Sequence, residues 1–184
     1  MNKINYQEWE LEDFVEHFDY ASNFRSYKND LFKDDIKGHV AEVGPGNGED
    51  VKIYKDRVEK LDLYEPSKKF FDKLNLIFES SKNFFLRNEV LSLKENTYDT
   101  IIYLDVLEHI ENDYQEVEKA FNSLKPNGKL IVNVPAFQHL YSNFDKDVGH
   151  FRRYDKKSFL NLFKNLNYSS FRMKYFDSLG YLLS

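Results

Sequence analysis

Residues 39 to 48, His-Val-Ala-Glu-Val-Gly-Pro-Gly-Asn-Gly, constrain this chain more than any other stretch. A short β-branched run reaches Glu42 and then breaks into Gly44, Gly46 and Gly48, spaced two apart. Apolar runs of this kind form buried parallel strands, and glycines at their ends let a backbone approach a ligand closely. A helix expected over 48 to 57 would present free N–H groups to whatever sits on the turn. The pattern predicts a strand–turn–helix cradle for a nucleotide.

The rest of the chain alternates in the same way. An amphipathic helical region over 6 to 33 carries Trp9, Phe14, Phe18, Phe24, Tyr27 and Leu31. Strands are expected at 39 to 43, 60 to 64, 84 to 86, 100 to 104 and 129 to 134, with a sixth at 171 to 176. Helices are expected at 67 to 79, 112 to 124 and 155 to 166, and Pro126-Asn127-Gly128 reads as a turn. Strands alternating with helices predict an α/β fold with a mostly parallel sheet covered on both faces. No repeat, low-complexity tract or Pro/Gly-rich linker divides the 184 residues, so one domain is expected.

Composition narrows the function classes. The net charge of −5 argues against a nucleic-acid footprint, with Arg152 and Arg153 forming only a local basic spot. The absence of cysteine removes disulfides, a thiol nucleophile and Cys-ligated metals. His109, His139 and His150 have no metal-motif spacing along the chain, so no metal site is expected. No apolar run approaches the ~20 residues of a membrane span, and the acidic N-terminus is unlike a signal peptide, so a cytoplasmic chain is expected.

In parallel sheets, ligands bind outside the carboxyl ends of the strands. Glu42 with the glycines, Glu65, Asn88-Glu89 and Asp105 all fall at such ends. The loop departs from the dinucleotide fingerprint because Glu49 stands where the third glycine belongs, and no Walker Lys-Ser/Thr follows. Glu49 and Asp50 in the first helical turn also disfavour a phosphate there. Glu65, 21 positions after Gly44, is placed to accept ribose hydroxyls, or else is an exposed carboxylate before the turn-making Pro66. Glu89 is a candidate acceptor for an adenine amino group.

These residues resemble class I S-adenosylmethionine-dependent methyltransferases. The resemblance is carried by Glu42-Val-Gly44-Pro45-Gly46-Asn-Gly48, Glu65, Tyr98-Asp99 through Leu104-Asp105-Val106-Leu-Glu108-His109-Ile, and Leu124-Lys-Pro126-Asn-Gly128 through Pro135. It runs from about residue 20 to 177, and the four motifs in order are more specific than any one. It implies a Rossmann-like core over 37–184 with an N-terminal helical lid over 1–36. It also implies S-adenosyl-L-methionine as donor and S-adenosyl-L-homocysteine as product. Carried over, Gly44, Pro45, Gly46 and Gly48 would pass under the methionine part, with Glu42 orienting the loop. Glu65 beside Pro66 would bind the ribose and Glu89 the adenine amino group. Leu104 and Val106 would line the site, and Tyr20 and Asn23 would contact the donor from the lid, unless that aromatic stripe is core packing. Family members usually continue into an antiparallel last strand, so either this chain is a portion or its sheet is shorter at that edge. An exposed edge would favour a homo-oligomer.

The segment from Phe144 to Tyr154 follows the fifth strand, where a loop can cap the site. Its Gly149-His150-Phe-Arg152-Arg153-Tyr154 resembles a subgroup associated with small-molecule or glycan acceptors. His150 and His109 are candidate catalytic residues, with His109 equally readable as a donor contact or a helix-start residue. Arg152, Arg153 and Tyr154, with His139 and Tyr141, are candidate acceptor contacts. The arginines would clamp an anionic group or pair with Asp145, Asp147 or Asp155 to hold the loop. The favoured reading is methyl transfer to oxygen of a small molecule or glycan. The alternatives are a NAD-type dinucleotide oxidoreductase and a non-catalytic cofactor-binding regulatory module.

Overall fold

In the computed structural model, which describes residues 22–79, 81, 83–90, 92 and 94–176, five strands pair into one wholly parallel sheet. They are β1 (His39–Val43), β2 (Lys60–Tyr64), β3 (Phe84–Arg87), β4 (Tyr98–Leu104) and β5 (Leu124–Asn133). Their spatial order is β3-β2-β1-β4-β5. Strand order therefore reverses beside β1, between β1 and β4, and a ligand crevice opens at such a switch point. Val43 is opposite both Tyr64 and Tyr103, so three strands end level and their loops emerge together.

The helices among the described residues are α1 (Ser22–Asp30), α2 (Val51–Tyr54), α3 (Lys68–Phe78), α4 (Asp113–Ser123), α5 (Asn143–Asp147) and α6 (Lys156–Asn161). The period-two alternation of β1 divides the core. Val40 joins Leu61, Leu63, Ile102 and Leu104 against Val51, Tyr54, Leu74 and Phe78 of α2 and α3. Ala41 and Val43 join Tyr64, Ile101 and Tyr103 against Val117, Ala120 and Phe159 of α4 and α6. α3 begins where Pro66 ends the extended segment. The Ser67 hydroxyl accepts from the Phe70 N–H, and Phe70, Leu74 and Phe78 repeat every four residues on the buried face. α4 is capped in the same way by Asn112, which accepts from Gln115 N–H.

Several boundaries differ from the sequence expectation. Regular helix after the glycine loop is confined to 51–54, followed by one 3-10 turn at Lys55–Arg57. The helix expected over 155 to 166 covers Lys156–Asn161. β5 begins earlier than residue 129, because the Pro126-Asn127-Gly128 turn lies inside it as an arch. Tyr98 pairs with Leu124 and Thr100 with Lys129, and Asn127 takes φ 66°. The sixth strand expected at 171 to 176 does not form; those residues have no regular structure. Phe171 instead packs its ring on Phe159 and Phe163, with centroids 6.4 and 5.6 Å away, and Arg172 pairs with Asp35. Those contacts draw the segment onto α6 and away from a ladder on β5. Of the expected N-terminal lid only 22–36 is described, so Tyr20 lies outside the described residues. No helix among the described residues is long and apolar enough to cross a membrane.

Candidate active site

A cavity of about 1580 Å³ runs along the carboxyl ends of β1, β2, β4 and β5 and continues along β5 to Lys125, Lys129 and Asp35 at the other end of the sheet. Gly44, Pro45 and Gly46 form part of its floor, and Glu65, Leu104, Asp105 and Val106 line it. Gly44 takes φ 66°, and its N–H donates to Tyr64 O at 2.8 Å, which stitches the loop to the end of β2. A Cβ there would lie 2.8 Å from Val106 Cγ2. Gly48 answers a different need: at φ 79° its Cβ would stand 2.6 Å from Leu74 Cδ2, so it allows α3 to pack against the loop. Gly48 and Pro66 do not line the cavity.

Two acids brace this loop from different depths. Glu65 is buried, and its Oε2 accepts from Gly46 N–H at 3.0 Å while Oε1 accepts from Ser67 N–H at 2.8 Å. Glu42 lies beneath the loop, 2% exposed, and accepts from the Tyr54 hydroxyl, tying β1 to α2. Burial pushes the Glu42 carboxyl up to about 8, against the opposing pull of the Tyr54 hydrogen bond. The structure does not bring Glu89 into the cavity: it is exposed, with its carboxylate 3.9 Å from Arg87. Its neighbour Asn88 instead donates to the carbonyls of Glu65 and Pro66, at 3.0 and 3.2 Å.

Lys28 of α1 was not singled out by the sequence, yet it is buried at the cavity wall. Its Nζ lies 3.1 Å from Asp50 Oδ2 and 3.4 Å from Asp105 Oδ2. Burial alone would lower the Lys28 ammonium, but the two carboxylates overcome that and raise it. Asn29 also donates to Asp50, at 2.6 Å. Asp50 at the helix start therefore has a local partner in α1, which explains an acid where a phosphate would be repelled. Asn23 lies on the same helix.

The capping segment supplies the opposite wall. Asp145 is completely buried; its Oδ1 lies 2.9 Å from His150 Nδ1 and accepts from Arg153 Nε at 2.7 Å. Burial would raise this carboxyl, but the Arg153 and His150 hydrogen bonds outweigh it and hold it at about 2. Burial lowers the His150 imidazolium despite Asp145, and burial with His150 nearby takes His109 down to about 4. The two rings meet edge to face, with centroids 4.6 Å apart. Both histidines line the cavity, as do Glu108 and Arg153.

Other candidates serve the loop. Arg152 donates to the carbonyls of Ile110 and Glu111, at 3.0 and 2.8 Å, and pairs with Asp113 at 2.6 Å. The structure thus assigns Arg152 the loop-holding alternative, away from the main cavity, with Asp113 as partner. The Tyr154 hydroxyl donates to Asp113 at 2.8 Å, although its side chain still borders the cavity. The Tyr141 hydroxyl donates to His150 O at 2.7 Å, and the His139 ring lies 5.6 Å from that of Phe137; neither lines the cavity.

A doubly covered parallel sheet, a glycine loop at its switch point and an acid at the end of β2 define a Rossmann-like cofactor enzyme. The model of a family described as methyltransferase domain matches residues 10–170, and the chain belongs to that family. No curated protein sequence matches it significantly. Solved structures share the fold. A putative methyltransferase from Bacillus halodurans has a TM-score of 0.60 at 16% identity, over 68% of this chain and 60% of that one. The N-methyltransferase NodS from Bradyrhizobium japonicum, solved with S-adenosyl-L-homocysteine, gives 0.56 at 14% identity over 68% and 62%. A chain in the Haloferax volcanii complex of the Trm112 methyltransferase activator with a putative methyltransferase gives 0.62 at 11% identity over 85% and 75%. The match spans about three-fifths of the Bacillus halodurans chain.

Proposed function

We propose that this methyltransferase moves a methyl group from S-adenosylmethionine to an oxygen of a small-molecule or glycan-type acceptor. The observation that supports the reading is that His150, bonded to the buried Asp145, lines the same cavity as the glycine loop and Glu65.

The residues present fit such a donor. Glu65 is anchored by two backbone N–H groups at the end of β2, and a carboxylate held there suits sugar hydroxyls. Lys28 and Asp105 place a cation and an anion side by side, a complement to an amino-acid terminus. Leu104 and Val106 supply apolar wall. S-adenosylmethionine, when bound, supplies an electrophilic sulfonium methyl.

The chain's own part is to position an acceptor and manage its proton. Asp145 orients the His150 ring through Nδ1 and leaves Nε2 toward the cavity wall as a proton acceptor or hydrogen-bond anchor. A lowered imidazolium keeps His150 neutral at physiological pH, the state a base requires. Arg153, held by Asp145, is an arginine of the capping segment at the cavity and suits an anionic part of the acceptor. A screen of hydroxyl-bearing metabolites and sugars with labelled methyl donor tests this reading. Transfer to an oxygen, lost in His150→Ala, is expected; transfer undiminished in that variant contradicts the role of His150.

A further inference from the structure

We propose that Glu108, His109 and His150 together bind a divalent transition-metal ion in the wall of the cavity. One donor atom from each lies within 4.8 Å of the others. Two adjacent residues and one far along the chain make this trio, so spacing along the sequence does not display it.

Three features favour an ion over simple packing. Glu108 is 1% exposed, and its Oε2 has no hydrogen-bond partner among the described residues. A buried carboxylate oxygen without a partner is costly, and an ion satisfies it. His150 is bonded through Nδ1 to buried Asp145, which leaves Nε2 4.0 Å from Glu108 Oε1. A carboxylate behind an imidazole is the arrangement that fixes tautomer and direction in metal-bound histidines. The His109 ring packs edge to face against that of His150.

The distances are near those of a coordination shell. Two atoms each about 2.1 Å from one ion are at most about 4.2 Å apart, so the trio needs to close by roughly half an ångström at its widest. Two imidazoles and one carboxylate suit borderline ions such as Mn²⁺, Fe²⁺, Co²⁺ or Zn²⁺. Three protein ligands leave positions for oxygen atoms of an acceptor, and a hydroxyl bound to such an ion becomes far more acidic. With the ion bound, His150 Nε2 serves as its ligand in place of accepting the proton, and the acidified hydroxyl releases its proton to solvent. This use of the ion rests on the methyl-transfer reading; its binding does not.

The test titrates the purified chain with Mn²⁺ or Co²⁺ alone, without donor or acceptor. One ion per chain is expected, with Co²⁺ giving paramagnetically shifted N–H resonances from two imidazoles, a readout that needs no variant. Asp145→Asn should weaken binding about 10- to 100-fold by freeing the His150 ring. Glu108→Gln, checked for folding by circular dichroism, should abolish saturable binding. No saturable binding of either ion up to millimolar, a Co²⁺ spectrum without imidazole protons, or a folded Glu108→Gln that binds like the parent overturns the proposal. A chelator separates the two claims. Methyl transfer that persists with the ion removed leaves the enzyme reading intact and removes the ion's role.

Discussion

Asp145 Oδ1 lies 2.9 Å from His150 Nδ1, and Arg153 Nε donates to the same oxygen. One buried carboxylate therefore sets the direction of two side chains, His150 and Arg153, that line the cavity. Asp145→Asn keeps the volume and removes the charge. It should lower kcat at least tenfold with a smaller change in KM, since orientation more than contact is lost. It should also cost about 1–3 kcal/mol of stability, read by denaturant unfolding, because Arg153 loses a charged partner.

Glu42 links pH to stability. Its folded carboxyl is held at about 8 by burial, against an ordinary 4.5, so the folded chain holds a proton that the unfolded chain releases. That contribution is fully present below the unfolded value and is lost as pH rises through about 8. The slope in this window reaches about 1.4 kcal/mol per pH unit. Glu42→Gln has no such proton. Its melting temperature relative to the parent should therefore climb between pH 5 and 8, and a difference that stays flat would show Glu42 ionised in the fold.

Gly44 and Val106 should be coupled. Gly44→Ala places a Cβ 2.8 Å from Val106 Cγ2 at a φ that side chains avoid. A loss of about 2–4 kcal/mol is expected. Combining it with Val106→Ala should recover about 1 kcal/mol beyond additivity, measured in a double-mutant cycle. Strict additivity would mean that the backbone angle alone sets the cost.

Arg152 is expected to act on stability more than on donor affinity. Arg152→Ala removes donors to two carbonyls and a pair with Asp113. Unfolding should become easier by about 1–2 kcal/mol, with unchanged affinity for S-adenosylhomocysteine. A large loss of affinity without loss of stability would place Arg152 at the ligand instead.

The parts of this arrangement legible in the sequence are those fixed by local pattern. Gly44, Gly46, Glu65 and Asp105 declare themselves because strand ends and glycine turns have short-range signatures, and their strands end level. The roles of Lys28 and Glu108 were not legible, since each depends on a partner from a distant segment, Lys28 on Asp50 and Glu108 on His150. Asp145, by contrast, is already one of three partners that the sequence offers the arginines, and the fold selects it for Arg153. Arg152 and Arg153 are neighbours with identical side chains, and only the fold pairs one with Asp113 and the other with Asp145. The expected strand at 171 to 176 shows the converse limit. Its aromatic alternation suits a strand, but Phe171 packs on Phe159 and Phe163, Tyr175 on Phe137 and Phe176 on Phe24, and these tertiary contacts decide against it.

The cavity above the glycine loop and beside Glu65 is the site assigned to S-adenosylmethionine. Isothermal titration with S-adenosylhomocysteine, run beside NAD on the parent and on Glu65→Gln, tests that assignment most directly. One site for S-adenosylhomocysteine in the micromolar range, weakened at least tenfold in Glu65→Gln, and no heat with NAD are expected. Saturable NAD binding without S-adenosylhomocysteine binding would contradict it.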